Sequence, residues 1–371
     1  MSAGADNAGM GGFAVKETRV EAHREAPLAA DEALVRVHHP DGNVRLRGAG
    51  EWNKDQVTRL VDGAQVLRTK LTQTTEIKPV LHTPEGLKWA RGKNFRLSPG
   101  QTLDIYPRFH GSNAGQVEKL DLGYRYNDET GAAQVRHVHV YLPPGYKENP
   151  HKFPLVIMQD GEAVFSSWRG KEAMDEVMSS GVKEAVVVGI EHTHAGRIHE
   201  YTPSKDAEMN KGGGAEAYLQ FLNNTVLPDL RKRFRLSDQT YIGGSSLGGL
   251  VALHAGVTQP KTFTRVMALS PSIWWNDKEV LEKYKKLGAQ RPDKIYIDSG
   301  DQNSPGSSST SLDGRDNAIA LAQVARDKGF HDEQNLEHVI GKGDWHFEPF
   351  WAKRLPHALK FTLSDHPNQM P

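Results

Sequence analysis

At 371 residues the chain has the length of about two domains. Its 46 lysines and arginines balance its 46 aspartates and glutamates, and no basic run stands out, so neither charge nor pattern offers a nucleic-acid partner. The absence of cysteine excludes disulfides, thiolate metal sites and a cysteine nucleophile.

Residues 1–27 are poor in large apolar side chains and are expected to form a flexible lead-in. They show neither a basic stretch followed by an apolar one nor a lipidation signal, and no apolar run approaches bilayer-spanning length. The expectation is a protein with no membrane partner, located in the cytoplasm, with a trimmed secreted form as the alternative. From residue 28 to 115 the texture is β. Leu34-Val35-Arg36-Val37 and Val44-Arg45-Leu46-Arg47 alternate around the turn sequence Pro40-Asp41-Gly42-Asn43, and further short runs follow, broken by Ser98-Pro99-Gly100. These short strands predict a small all-β sandwich.

The character changes after Asn113-Ala114-Gly115, where residues 116–371 are expected to form a second domain. Residues 117–126 and 135–142 suggest an antiparallel strand pair with its turn near 127–131. Compact apolar runs at 153–158, 184–190, 239–242, 265–269, 294–297 and 336–340 have the length of buried strands. They alternate with helical periodicity at 170–180, 215–234, 248–257, 278–287, 315–328 and 350–363. In 215–234 the residues Tyr218, Leu219, Leu222, Val226 and Leu230 form one apolar stripe, and Pro228 is expected to kink or break the helix. This order predicts an α/β domain with a doubly wound, mostly parallel sheet.

The sharpest chemical signal is Gly244-Ser245-Ser246-Leu247-Gly248, between the 239–242 strand and the helix that follows. A serine hydroxyl is a poor nucleophile unless it is held exposed beside a base. A tight strand-to-helix turn does this, with glycines where the backbone leaves no room for a Cβ. Ser246 has the nucleophile spacing, with Ser245 as the alternative. On such a fold the order is serine, acid, histidine. His346, in the loop after the last strand, suits the base, although with seventeen histidines a surface residue is the competing reading. The acid should follow the 294–297 strand, where Asp298, Asp301, Asp313 and Asp316 all qualify; Asp313 is preferred, with Asp301 and Asp316 behind it. Oxyanion amides are expected from Leu247 and from Gly161 or Glu162, in the turn after the 153–158 strand.

Arg197 is a candidate for holding an acidic or catecholate substrate, although a pairing with Glu200 that pins its loop is the stronger expectation. Trp168, Trp274 and Trp275 are candidates to wall the pocket, one or more of them serving instead as core. His192, His194 and His199 have metal-like spacing, but a closed site needs about four rigid ligands, so no metal is expected. His137 and His139 are taken as ordinary sheet residues, and Gly212-Gly213-Gly214 as a flexible link.

Together, Val140-Tyr141-Leu142-Pro143-Pro144-Gly145-Tyr146, Gln159-Asp160-Gly161-Glu162, the RIHEYTP run from Arg197 to Pro203, GGSSLGGL from Gly243, Ser270-Pro271-Ser272 before Trp274-Trp275, and His346 before Trp351 resemble the putative-esterase family of α/β-hydrolases. That family includes enterochelin esterases, esterase D, feruloyl esterases and the mycolyltransferases. The resemblance spans roughly residues 117–365 and implies a cofactor-free serine carboxylic ester hydrolase that works through an acyl-enzyme. It points first to siderophore lactones as substrate. A feruloyl or acetyl esterase, an acyltransferase, and a binding module on a hydrolase scaffold are the alternatives. Enterochelin esterases also carry a leading β-sandwich. The stretch between Gly300 and the helix at 315 is longer than in the family, which keeps the acid open. Glu51-Trp52-Asn53 and Lys88-Trp89-Ala90 in the front region resemble immunoglobulin-like early-set modules, in which Trp52 and Trp89 would be able to stack on a sugar or serve as core.

Overall fold

A computed structural model describes residues 26–365, apart from 113, 128–132, 194–195 and 309. The expected lead-in, most of the turn near 127–131, and His194 therefore lie largely outside the described residues.

The front region is all β: β1 (Glu32–His38), β2 (Val44–Gly48), β3 (Arg59–Val61), β4 (Ala64–Lys70), β5 (Thr75–Thr83), β6 (Gly86–Trp89), β7 (Phe95–Leu97) and β8 (Thr102–Ile105). They make two facing sheets, one ordered β3-β4-β1-β8 and the other β2-β5-β6, with β7 also on β5. Alternate residues point into the space between them: Val35 and Val37 from β1, Val44 and Leu46 from β2, and Ile77, Leu97 and Ile105 are all buried in one cluster. The turn at Pro40–Asn43 joins the two sheets instead of closing a hairpin, because β1 pairs with β4 and β2 with β5. This layer meets the next through a buried ion pair, Arg108 Nε to Glu184 Oε1 at 3.0 Å. Burial pushes the Glu184 carboxyl up to about 7, against the pull of Arg108.

The rest is an eight-stranded sheet ordered β18-β17-β16-β15-β11-β12-β10-β9. Its strands are β9 (Gln116–Asn127), β10 (Ala133–Leu142), β11 (Phe153–Gln159), β12 (Val186–Ile190), β15 (Leu236–Ser245), β16 (Phe263–Leu269), β17 (Lys294–Gly300) and β18 (Leu336–Gly341). A two-stranded ribbon, β13 (Lys205–Asp206) with β14 (Lys211–Gly212), stands apart. The β9–β10 hairpin and the β10–β12 pair are antiparallel, and the other pairs are parallel. The strand interiors are apolar on both sides because helices cover both faces. Leu155 and Ile157 of β11 face one cluster, with α4 (Ala215–Phe221), α5 (Leu227–Arg233), α6 (Leu247–Thr258), α7 (Trp275–Lys285) and α8 (Arg315–Asp327). Val156 and Met158 face the other, with α1 (Gly161–Phe165), α2 (Gly170–Ser179) and α9 (Glu348–Leu363). The short α3 (Arg197–Tyr201) follows β12.

The helix expected over 215–234 keeps its apolar stripe buried, from Tyr218 to Leu230. Its break falls ahead of Pro228, as a π-turn at Leu222–Val226. Proline lacks the N–H that would bond one turn back, and its ring crowds that carbonyl, so the preceding turn widens while the chain continues.

Candidate active site

The carboxyl ends of β11, β15, β16, β17 and β18 meet at one edge of the sheet, where loops of an α/β fold carry chemistry. Ser246 sits between β15 and α6 with φ 56° and ψ −122°, a strained conformation that projects its side chain from the turn. Its amide donates to the Leu269 carbonyl at 3.0 Å, and its own carbonyl accepts from Ser272 and Leu250. The flanking glycines are required by space. A Cβ on Gly244 would lie 2.8 Å from the Gly248 carbonyl carbon, and one on Gly248 would lie 2.9 Å from the Cβ of Gln159.

His346 Nε2 lies 2.9 Å from Ser246 Oγ, and its Nδ1 lies 2.5 Å from Asp313 Oδ1. The imidazole is partly open to solvent, whereas the Asp313 side chain is fully buried. An edge-on contact with Trp351, centroids 5.0 Å apart, backs the ring. The other oxygen of Asp313 accepts from the Gly300 amide at 2.5 Å and from Ser270 Oγ at 2.7 Å. The four aspartates considered for this position are thus separated by geometry. Asp298 is buried against Arg354, Asp301 accepts from the Gly343 amide, and Asp316 is exposed beside Arg315. Ser272 Oγ, 3.3 Å from Ser246 Oγ, is a second hydroxyl at the nucleophile, to which sequence reasoning gave no role.

Leu247 is the first residue of α6, and Gly161 and Glu162 open α1, so all three amides belong to first turns whose N–H groups have no intrahelical acceptor. The two turns adjoin, since a Cβ on Gly248 would come within 3.2 Å of Asp160 Oδ2.

Other expectations change. Arg197 does not pair with Glu200. Its guanidinium grips Asp160 at 2.7 and 2.8 Å, while the fully buried Glu200 pairs with Arg136. Burial works against the Arg197 charge, but Asp160 more than offsets it, and the guanidinium is held above its ordinary range. Arg197 is thus held by Asp160 rather than by Glu200, with 27% of its side chain exposed. Trp168 and Trp275 do not wall a pocket either: each is 1% exposed. Trp168 packs on Trp351, and Trp275 donates its indole N–H to the Ser204 carbonyl at 3.0 Å. Trp274, 50% exposed, stands at the surface. His192 faces Asp160, and His199 contacts the Gly212 carbonyl. Among the described residues no three His, Asp or Glu side chains converge as metal ligands. His139 lies 2.7 Å from Glu191.

A cavity of about 230 Å³ is bordered by Asp160, Glu162, Ser166, Glu191, His192 and Glu348. Asp160 and Glu162 border it from the turn that adjoins the one carrying Ser246, and Glu348 borders it from the start of α9, two residues after His346.

The family model described as "Putative esterase" matches residues 132–362, more than half of the chain. The chain belongs to the putative-esterase family. Membership places this esterase among carboxylic ester hydrolases. It is 32% identical over 146 residues to a siderophore triacetylfusarinine C esterase of Aspergillus fumigatus, a match that spans 36% of this chain and 48% of that protein. Among solved structures it resembles the siderophore hydrolase EstB from Aspergillus nidulans, with 25% identity, a TM-score of 0.52, and coverage of 69% of this chain and 96% of that one. The enterobactin esterase FES from Shigella flexneri matches at 16% identity and a TM-score of 0.51, over 86% of this chain and 87% of that one. At that identity the likeness is one of fold, and its coverage extends beyond the part matched by the family model.

Proposed function

We propose that this esterase hydrolyses the lactone or ester bonds of a siderophore through an acyl-enzyme on Ser246. The observation that carries the reading is the continuous hydrogen-bonded chain from Ser246 Oγ through His346 to Asp313. In this mechanism His346 Nε2 takes the serine proton as Oγ attacks the ester carbonyl, and Asp313 stabilises the imidazolium and fixes its tautomer. The tetrahedral oxyanion rests on the amide of Leu247 and on that of Gly161 or Glu162, which lie in the adjoining first turns. His346 then returns the proton to the leaving alkoxide, and water repeats the sequence on the acyl-enzyme.

Similarity to the siderophore esterase of Aspergillus fumigatus and to EstB supports a siderophore ester as substrate. Of the carboxylates around the cavity, Asp160 is matched by Arg197 and Glu191 is paired with Lys119, and it is Glu162 and Glu348 that favour a neutral or cationic ester over a polyanionic one.

Labelling with a fluorophosphonate, with the adduct located by mass spectrometry, tests the mechanism. One adduct on Ser246, lost in His346→Ala, is the expected result; folded protein that takes no label overturns it. Hydrolysis rates for a neutral trilactone, its iron-loaded catecholate counterpart and methyl ferulate test the substrate. The neutral trilactone should be the fastest, and preference for the ferulate would remove the siderophore reading.

A further inference from the structure

Behind the triad lies a group of buried charges that the reaction itself does not use. Arg354, on α9, is 5% exposed and reaches three oxygen-bearing side chains from different parts of the fold. One terminal nitrogen donates to Asp344 Oδ2 at 2.6 Å, the other donates to Ser270 Oγ at 2.9 Å, and Nε lies 3.0 Å from Asp298 Oδ2. Each partner leads back to the site. Ser270 Oγ passes its own hydrogen to Asp313 Oδ2 at 2.7 Å. Asp344 precedes His346 by two residues, and its carbonyl accepts from the amides of Asp301 and Gln302, where the segment leading to Asp313 begins. Asp298 accepts from the Ser270 amide at 2.9 Å and from Tyr296 at 3.0 Å, which fixes the backbone of Ser270 at φ 40°.

A guanidinium is the one side chain that can do this. It is planar, carries five donors in fixed directions, and stays charged when buried. Here it faces Asp298 and Asp344, so its charge is matched within the cluster, with Lys353 supplying a second cation to Asp344 at 2.8 Å. The fit leaves no slack, since a Cβ on Gly341 would fall 2.2 Å from Asp344 Oδ2 and 2.9 Å from the guanidinium.

We infer that Arg354 is a positioning residue for the triad, acting through Ser270 on Asp313 and through Asp344 on the loop that carries His346. A single rigid group thereby sets the distance between acid and base. Without it, the Ser270 hydroxyl that donates to Asp313 Oδ2 loses the donor that orients it, and the carboxylate relies on the Gly300 amide and the His346 ring for its alignment. The inference rests on the triad reading given above.

The test compares Ser270→Ala, Arg354→Lys and His346→Ala in the full-length protein. Ser270→Ala cuts the link to Asp313 and leaves the Arg354–Asp344–Asp298 charges in place. It should lower kcat about tenfold with KM unchanged, since loss of alignment acts on the chemical step. The downfield proton resonance of the His346 Nδ1–H held by Asp313 should broaden or vanish with it. Arg354→Lys should lower kcat about a hundredfold, because an ammonium cannot hold all three acceptors. If Arg354→Lys fails to fold, Ser270→Ala decides alone. A Ser270→Ala enzyme with the kcat and the Nδ1–H resonance of the parent overturns the inference. His346→Ala separates that outcome from failure of the triad itself: if this variant still takes the fluorophosphonate label, the triad reading falls and the inference falls with it.

Discussion

The guanidinium of Arg197 and the carboxylate of Asp160 face each other through two parallel hydrogen bonds, 2.7 and 2.8 Å long, across 37 residues of sequence. Tyr201, one turn further along α3, closes the same clamp by accepting from the Asp160 amide at 3.2 Å and lying 5.4 Å beneath the guanidinium. The turn so held carries Gly161 and Glu162. Arg197→Ala strands a nearly buried carboxylate and should cost about 2 kcal/mol of stability. It should lower kcat more than it raises KM, with Arg197→Lys recovering part of the loss. A raised KM at unchanged stability would instead make Arg197 a substrate ligand. Thermal unfolding and steady-state kinetics on the same preparations separate the two.

The hydrogen bond from His346 to Asp313 predicts a division among the nearby aspartates. Asp313→Asn should reduce kcat by about 10⁴-fold, because the amide favours the wrong imidazole tautomer. Asp301→Asn and Asp316→Asn should stay within a few-fold of the parent on the same ester. Equal losses from Asp301→Asn and Asp313→Asn would show that the acid has been misassigned.

The three tryptophans near the site should part company when replaced. Trp168→Ala removes a 1%-exposed indole from the cluster that backs Trp351 and should destabilise the fold by about 4 kcal/mol. Trp274→Ala, at a half-exposed position, should leave stability within about 0.5 kcal/mol. Denaturant unfolding of the two variants checks this, and a stable Trp168→Ala would count against the packing described.

Acid should weaken the fold through His254, on the helix that begins at Leu247. Burial first, and Lys283 second, depress its imidazole to about 4. The folded state therefore binds fewer protons than the unfolded one between about 4 and 6.5. Stability from this residue is complete above the unfolded value and is lost as pH falls through that window, by about 3 kcal/mol at most. Glu216 lies 3.9 Å from the other ring nitrogen, and its negative charge works in the opposite sense. In His254→Gln, thermal midpoints measured from pH 7 to pH 4 should fall less steeply than in the parent; an unchanged slope would place the acid sensitivity elsewhere.

What could be read from the sequence depended on whether the cause was local. The parallel strands announced themselves because a strand covered on both faces is apolar throughout, as at Leu155 to Met158. The Ser246 turn was legible for the same kind of reason, since Gly244 and Gly248 answer a steric demand within five residues. The acid was not, because four aspartates lie along one loop region and only contacts from Ser270 and Gly300 single out Asp313. Arg197 and Glu200 looked like partners by spacing, yet their ion-pair partners, Asp160 and Arg136, come from the end of β11 and from within β10. Burial of Trp168 and Trp275 likewise depends on neighbours distant in sequence, so a tryptophan near a pocket gave no sign of whether it faced in or out.

The segment between Gly300 and Asp313 is fastened at both ends: the Gly300 amide meets the Asp313 carboxylate, and the Leu312 amide meets Asn303 Oδ1 at 2.9 Å. The position of the acid is therefore set at the two ends of this segment. In engineering terms these two staples are the anchors that any graft into residues 304–308 has to preserve if the proton relay is to stay in register.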